Sequence, residues 1–322
     1  MSLQMGASDA PMNMRVTAIR YAADDINVYE IRRPDNAALP RAEPGAHIDV
    51  HMPSGIMRQY SLVTADGDER AYLIGIKRDR ASRGGSRFMH EQLRVGQMLD
   101  IGGPRNNFPL CETAEHTVLI AGGIGITPIW CMAQRLMRLN RSFELHYACR
   151  ERREAAFLDT LTSLPQAKLH FDAERDGRVL DIAAIVAYAP AGSHFYCCGP
   201  QPMLAGYEAA TASIDPERVH IEYFAPRAAA AACEGGFVVQ LHRTGQQFEV
   251  PPGKTILQVL REGGVAAPYS CEEGICGACQ VDVIEGTPDH RDSVLSEREQ
   301  AAGDTMMICC SGARGGRIVI DF

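Results

Sequence analysis

The sequence predicts a multidomain protein: a small antiparallel β-barrel, then a doubly wound α/β domain with a parallel sheet, then a smaller segment bounded by strands. Three observations carry this. The first hundred residues hold short alternating β-rich runs punctuated by Pro, Gly and Asp. The middle alternates apolar strands with helical runs. The last segment holds CEEGICGACQ (271–280), three cysteines at C-x4-C-x2-C spacing.

The barrel strands are read at MRVTAIRYA (14–22), NVYEIRR (27–33), AHIDVHM (46–52), QYSLV (59–63) and AYLIGIKR (71–78), with an exit at GGPRNNFPL (102–110). In the middle segment TVLIAGG (117–123) is a buried-type strand with a glycine turn, and PIWCMAQRLMRLN (128–140) is a helix with Pro128 at its first position. FELHYACR (143–150), EAAFLDTL (154–161), KLHFDAE (168–174) and HFYCCGP (194–200) continue the alternation, and HIEYF (220–224) closes it. Alanine-rich APRAAAAACEGG has little to build a core from and reads as a linker. FVVQLHRTGQQFEV opens the last segment as two runs joined by a turn, and GGRIVIDF ends it as a strand. The domains are thus expected at 14–110, 111–226 and 237–322, with the linker at 227–236.

The 322 residues are 46% hydrophobic, enough for two or three cores. A net charge of −8 argues against a nucleic-acid binder. The apolar runs are too short to span a membrane. The start, MSLQMGASDAPMNM, lacks a basic region followed by an apolar block, so no secretion signal is expected. Eleven cysteines in such a chain read as reduced thiols of a cytoplasmic protein. The last segment carries seven Lys/Arg against twelve Asp/Glu, an acidic surface that is either simply a solvated face or one that also orients a basic partner.

Cys271, Cys276 and Cys279 have the spacing of a plant-type [2Fe–2S] loop, whose glycines Gly274 and Gly277 allow backbone N–H groups to approach the sulfurs. A fourth ligand lies in MMICCSG (306–312), at Cys309 or Cys310; on an apolar strand the two would face opposite sides. Zinc is the rival metal, and a chance cluster of buried thiols the other alternative. In the barrel, RQYSL (58–62) offers a guanidinium fork (Arg58), a flat ring (Tyr60) and a hydroxyl (Ser61). SRGGSRF (82–88) offers a phosphate the N–H groups of Gly84 and Gly85 and the hydroxyl of Ser86. AGGIGITP (121–128), with Gly122, Gly123 and Gly125, is a glycine turn at a helix start, though not the G-x-G-x-x-G fingerprint. FYCCGPQPML (195–204) is a second such turn.

Together these motifs resemble the phthalate dioxygenase reductase family. CEEGICGAC with I-C-C-S-G-A, RGGS and PRNNFPL carry the resemblance, which extends from about residue 14 to 322. It implies a β-grasp α+β fold for the ferredoxin domain and makes Cys309 the fourth ligand, Cys310 standing where the family has Val. It implies FMN, with FAD the alternative from the wider superfamily. Arg58, Gly84, Gly85 and Ser86 would contact its phosphate, and Tyr60, Ser61 and Lys77 its isoalloxazine and ribityl chain. It implies a nicotinamide site at Cys198, Gly199 and Pro200, with Thr127 between nicotinamide and flavin, Arg150 near the cofactor and Phe224 against the flavin ring. Asp172 could meet the adenosine hydroxyls, which favours NADH, while Arg150, Arg152 and Arg153 keep NADPH open.

The expected circuit runs from NADH through flavin to the cluster, the flavin converting a two-electron donor into a one-electron supply. No side chain is needed as a catalytic acid or base, and His290 reads as a loop anchor. The implied partner is a separate oxygenase, a Rieske-type non-haem iron enzyme acting on an aromatic acid or similar small substrate. A redox sensor whose cluster governs partner binding is the alternative. A self-contained hydroxylase finds no His-rich metal constellation to support it.

Overall fold

A computed structural model of the chain describes residues 11–64, 68–80, 82, 84–226 and 235–322. They form two compact units divided after Glu222. Most of the expected linker, 227–234, lies outside the described residues. No helix among the described residues is long and apolar enough to cross a membrane.

The first unit opens with strands β1 (Met12–Ala23), β2 (Ile26–Arg32), β3 (His47–His51), β4 (Met57–Ser61) and β5 (Ala71–Lys77), the helix α1 (Gly85–Glu91), and β6 (Met98–Ile101). The strands pair antiparallel in the order β4-β3-β6-β1-β2-β5. A bridge between Leu62, just past β4, and Ile74 on β5 joins the two edges. Period-two patterning explains the interior: Ile48 and Val50, Ile74 and Ile76, Leu99 and Ile101 all point inward and are buried. Five of the six strands were legible; β6 was not, because four residues between Gly96 and Gly102 give too short an alternation to read.

Next come β7 (Thr117–Gly122), α2 (Ile126–Arg138), β8 (Phe143–Cys149), α3 (Leu158–Thr162), β9 (Ala167–Phe171), α4 (Ile182–Tyr188), β10 (His194–Cys198), α5 (Gln201–Thr211) and β11 (Val219–Glu222). The sheet is parallel, in the order β11-β10-β7-β8-β9. Chain order reverses between β7 and β10, the switch point where such sheets open a crevice at their carboxyl ends. Helix α2 buries Ile126, Ile129, Trp130, Ala133 and Leu136, spaced to share one face. Each large side chain among them is worth about 1.5–3 kcal/mol. Pro128 is the third residue of α2 rather than the first, because a 3-10 turn over Gly123–Gly125 leads into the helix two residues earlier. The first four helical N–H groups have no intrahelical acceptor, so proline there forfeits no bond.

The core beneath α2 also takes in Ala23, Ile26, Val63 and Phe108 from the barrel. The Tyr196 hydroxyl at the heart of the parallel sheet donates to the Pro109 carbonyl at 3.3 Å and accepts from the Cys111 N–H at 2.8 Å. Barrel and nucleotide sheet therefore share one hydrophobic interior.

The second unit comprises β12 (Phe237–Leu241), β13 (Gln247–Val250), α6 (Ile256–Glu262), β14 (Gln280–Glu285), β15 (Pro288–Asp289), α7 (Glu297–Ala302), β16 (Thr305–Met307), β17 (Gly312–Ala313) and β18 (Arg317–Ile320). Its main sheet runs β13-β12-β18-β14-β16, with β12 and β18 parallel and the other pairs antiparallel. Both helices begin with reciprocal caps, Thr255 with Gln258 and Ser296 with Glu299. Ile256, Leu257 and Leu260 of α6 pack with Val239, Ile308 and Ile318 in a core of their own.

Candidate active site and cluster loop

The glycine turn after β7 and the CGP turn after β10 lock together at the switch point. A Cβ on Gly125 would lie 2.1 Å from the Cys198 carbonyl oxygen and 2.9 Å from the Gly199 nitrogen. Gly122 and Gly199 face each other across the same gap, closed from behind by Met203 and Pro200. Only glycine lets two backbone turns approach so closely, and their N–H groups sit at the starts of α2 and α5, where negative charge is favoured. Thr127, 2% exposed, donates to the Ile124 carbonyl at 3.0 Å. A Cβ on Gly75 of β5 would come within 2.7 Å of the Thr127 methyl group, so this residue seats the nucleotide domain on the barrel.

Arg58, Tyr60 and Ser61 lie on β4, and Lys77 ends β5 with its side chain exposed. The Arg58 stem crosses Gly85 at the start of α1, where any Cβ would meet its Cγ at 2.8 Å. Arg58 is thereby brought to the Gly84–Gly85–Ser86 turn, and it donates to the Met57 carbonyl at 2.7 Å. The Ser86 hydroxyl accepts from the Asp79 N–H at 3.1 Å. Burial lifts the half-buried Tyr60 hydroxyl far above its ordinary range, against the opposing pull of Arg58.

Glu222 is the residue that sequence reasoning missed. Parallel register sets it beside Cys198, and its Oε2 accepts from the Ser61 hydroxyl at 3.4 Å. Ser61 of the barrel and Cys198 of the nucleotide turn, both buried, thus meet the half-buried Glu222 of β11 in one cluster. Burial pushes the Glu222 carboxyl up to about 8, partly offset by hydrogen bonds from Ser61 and Cys198, and pushes the Cys198 thiol well above its usual value. The only sequence signal was an acid alternating with apolar neighbours in IEYF.

This acid makes stability pH-dependent. A folded value above the unfolded one means the folded state holds the proton more tightly. Its contribution is complete below about pH 4.5 and is lost as pH rises toward 8, at about 1.4 kcal/mol per pH unit for one proton. Glu222→Gln is expected to flatten the fall in thermal midpoint between pH 5 and 8; a slope identical to wild type would rule Glu222 out as the source.

At the far end of the sheet, Arg150 follows β8 and is exposed, and Asp172 follows β9 with its Oδ1 3.4 Å from His170 Nε2. Phe224 belongs to the second unit, where its side chain is exposed.

In the second unit the cysteine loop brings Cys271, Cys276, Cys279 and Cys309 together. Cys271 is hydrogen-bonded to Cys276 and Cys309, and Cys279 to Cys309. The Cys309 contact and burial hold the Cys279 thiol far above its ordinary range, as Cys271 and burial do for Cys276. The N–H groups of Glu273 and Ala278 point at the sulfurs of Cys271 and Cys276, at 3.3 and 3.4 Å. Gly274 has a φ of 70°, and a Cβ there would strike the Cys310 sulfur at 2.6 Å. The expectation of an apolar strand through the cysteine doublet needs correcting: β16 ends at Met307, and Cys309 and Cys310 lie in the turn beyond it. The turn separates the two side chains, Cys309 toward the other sulfurs and Cys310 toward Gly274, the Met307 carbonyl and the Ser311 hydroxyl.

Four thiols on a loop with inward N–H groups suit a [2Fe–2S] cluster, which replaces four protons with iron and takes two cysteines per iron. No three His, Cys, Asp or Glu side chains among the described residues are grouped to hold a single metal ion. His290 is buried, with Nδ1 3.7 Å from Asp292 Oδ1. Asp292 in turn accepts from the N–H groups of Val294 and Leu295, which fixes the segment behind the cysteine loop.

Comparison with known proteins agrees with this geometry. Residues 239–314 match the 2Fe-2S iron-sulfur cluster binding domain and residues 119–209 the oxidoreductase NAD-binding domain. The chain is 49% identical to phenoxybenzoate dioxygenase subunit beta of Ectopseudomonas oleovorans, over 99% of this chain and 100% of that one. It is 44% identical to vanillate O-demethylase oxidoreductase of Pseudomonas putida, over 93% and 96% respectively. Among solved structures, phthalate dioxygenase reductase, described as modular for electron transfer from pyridine nucleotides to [2Fe–2S], superposes with a TM-score of 0.71 at 36% identity, covering 97% of this chain and 98% of that one. An intact type IV self-sufficient cytochrome P450 monooxygenase superposes with a TM-score of 0.89 at 37% identity; this chain is fully covered and spans 43% of that protein. Barrel, parallel sheet and ferredoxin domain, in that order, make the chain an NADH-dependent flavin and iron–sulfur reductase of oxygenase systems, and it belongs to the phthalate dioxygenase reductase family.

Proposed function

We propose that the protein carries electrons from NADH through FMN to a [2Fe–2S] cluster, and on to a separate Rieske-type non-haem iron oxygenase acting on an aromatic acid or similar small substrate, in the cytoplasm. The observation that carries the proposal is the cluster of Ser61, Cys198 and Glu222, where the barrel motif meets the nucleotide turn. A flavin held there would supply the conversion of a two-electron hydride donor into a one-electron source for the cluster.

The chain's own contribution is positioning. Arg58, with the Gly84–Gly85–Ser86 turn, holds the flavin phosphate, while Tyr60, Ser61 and Lys77 line the ring and ribityl chain. The turns at Gly122–Gly125 and Cys198–Pro200 seat the dinucleotide, and Thr127 fixes the depth of its reactive end. Burial favours the protonated form of the Glu222 carboxyl beside the nucleotide turn. Cys271, Cys276, Cys279 and Cys309 hold the cluster, with Cys310 packed behind the loop. A haem monooxygenase as acceptor is a second reading, supported by the likeness to the self-sufficient P450.

The test is an anaerobic visible spectrum before and after NADH, with the released flavin identified by chromatography. A flavin band on a broad iron–sulfur envelope, both bleached by NADH, with FMN released, is the expected result. A bound flavin that NADH leaves oxidised would overturn the proposal.

A further inference from the structure

The carboxyl ends of β8 and β9 lie one and two strand spacings from the β7 turn, the farther about 10 Å away, on the side opposite β10. A dinucleotide with its nicotinamide at Cys198 and its pyrophosphate at the β7 turn therefore lays its adenosine here. β9 runs straight into a 3-10 turn, Asp172–Glu174, and β8 reaches one, Arg152–Glu154, two residues after its end; the Ala173 N–H donates to the Arg150 carbonyl at 3.0 Å and ties the two loops.

Between these turns Glu174 grips Arg152 with both oxygens, Nε to Oε1 at 2.5 Å and Nη2 to Oε2 at 3.0 Å. The same guanidinium lies over the Phe171 ring, its Cζ 4.5 Å from the centroid. Both side chains are about half exposed, so the pair adds little to stability. Its effect is on availability. A guanidinium held by a carboxylate fork and a ring has the Nε–Nη2 edge that would grip a phosphate already engaged and its charge largely offset.

We propose that Glu174 is a specificity-determining residue: by holding Arg152 on Phe171 it withholds that cation from a 2′-phosphate and makes the site select NADH over NADPH. The proposal rests on the nucleotide site proposed above. Asp172 alone would repel a phosphate, but Arg150, which has no ion-pair partner among the described residues, offsets it. Glu174 removes the second arginine from that balance. It acts through Arg152 and is a positioning residue.

The experiment measures kcat/KM for NADPH and for NADH in wild type, Glu174→Gln, and Glu174→Gln combined with Arg152→Ala, together with competitive inhibition by adenosine 2′,5′-bisphosphate and by 5′-AMP. In Glu174→Gln the NADPH-to-NADH ratio is expected to rise about tenfold, equivalent to about 1.4 kcal/mol. Inhibition by the bisphosphate should tighten by a similar factor while that by 5′-AMP does not, and the double variant should lose both gains. An unmoved ratio in Glu174→Gln, or a gain that survives loss of Arg152, overturns the assignment while NADH oxidation by wild type upholds the nucleotide site. Wild type that oxidises neither nucleotide overturns the site and the assignment together.

Discussion

Cys309→Ser is expected to abolish the iron–sulfur absorption and to cut NADH-driven reduction of a one-electron protein acceptor by at least about a hundredfold. The ground for that size is that loss of a mere outer partner of a metal ligand already costs roughly 10–100-fold. Cys309 is the thiol that meets both Cys271 and Cys279, so no other donor closes the set. Bleaching of the flavin by NADH should persist, since the first unit keeps its own core. Cys310→Ala is the companion variant. Its sulfur lies against Gly274 and the Met307 carbonyl, so its loss should cost about 1 kcal/mol of stability and leave iron content near wild type. If instead Cys310→Ala loses the cluster and Cys309→Ser retains it, the ligand assignment is reversed.

Gly125→Ala should have a comparable effect on the opposite end of the circuit. The added methyl would sit 2.1 Å from the Cys198 carbonyl oxygen, on backbone that cannot rotate away. The β7 and β10 turns must then separate, and displacement of a reacting group by about 1 Å costs on the order of a hundredfold. The expected loss is therefore at least about a hundredfold in kcat/KM for NADH, with flavin retained, because the strain falls on the nucleotide turns rather than on β4 or α1. Strain should also lower stability by about 1–3 kcal/mol. Near-normal NADH kinetics in this variant would show that the turns do not define the nucleotide seat.

Much of this was readable from the residues because it depends on local spacing. The cysteine loop, RQYS before a strand end, and glycine turns after apolar strands are short-range signals, and the strands carrying them fell within a residue or two of their expected bounds. What the sequence hid depends on non-local pairing. Glu222 lies 161 residues from Ser61, and only the β10–β11 register puts it beside Cys198. The grip of Glu174 on Arg152 joins two loops through the order of β8 and β9. The backbone conformation at the cysteine doublet was misjudged for a smaller reason. Three apolar residues before a cysteine doublet look like a continuing strand, yet the chain turns there, with the Cys310 and Ser311 N–H groups both donating back to Met307.

The Tyr196 hydroxyl, bonded to Pro109 and Cys111, bears on how this reductase can be recombined with others. A crossover at residue 110 would set Pro109 and Tyr196 on opposite sides of the junction and split a core in which Phe108 and Val63 lie with Leu119 and Ile129. Chimeras that exchange the flavin barrel alone would inherit mismatched halves of one interior. Those cut after Glu222 would keep the barrel and the nucleotide sheet together, leaving the terminal electron carrier as the interchangeable part.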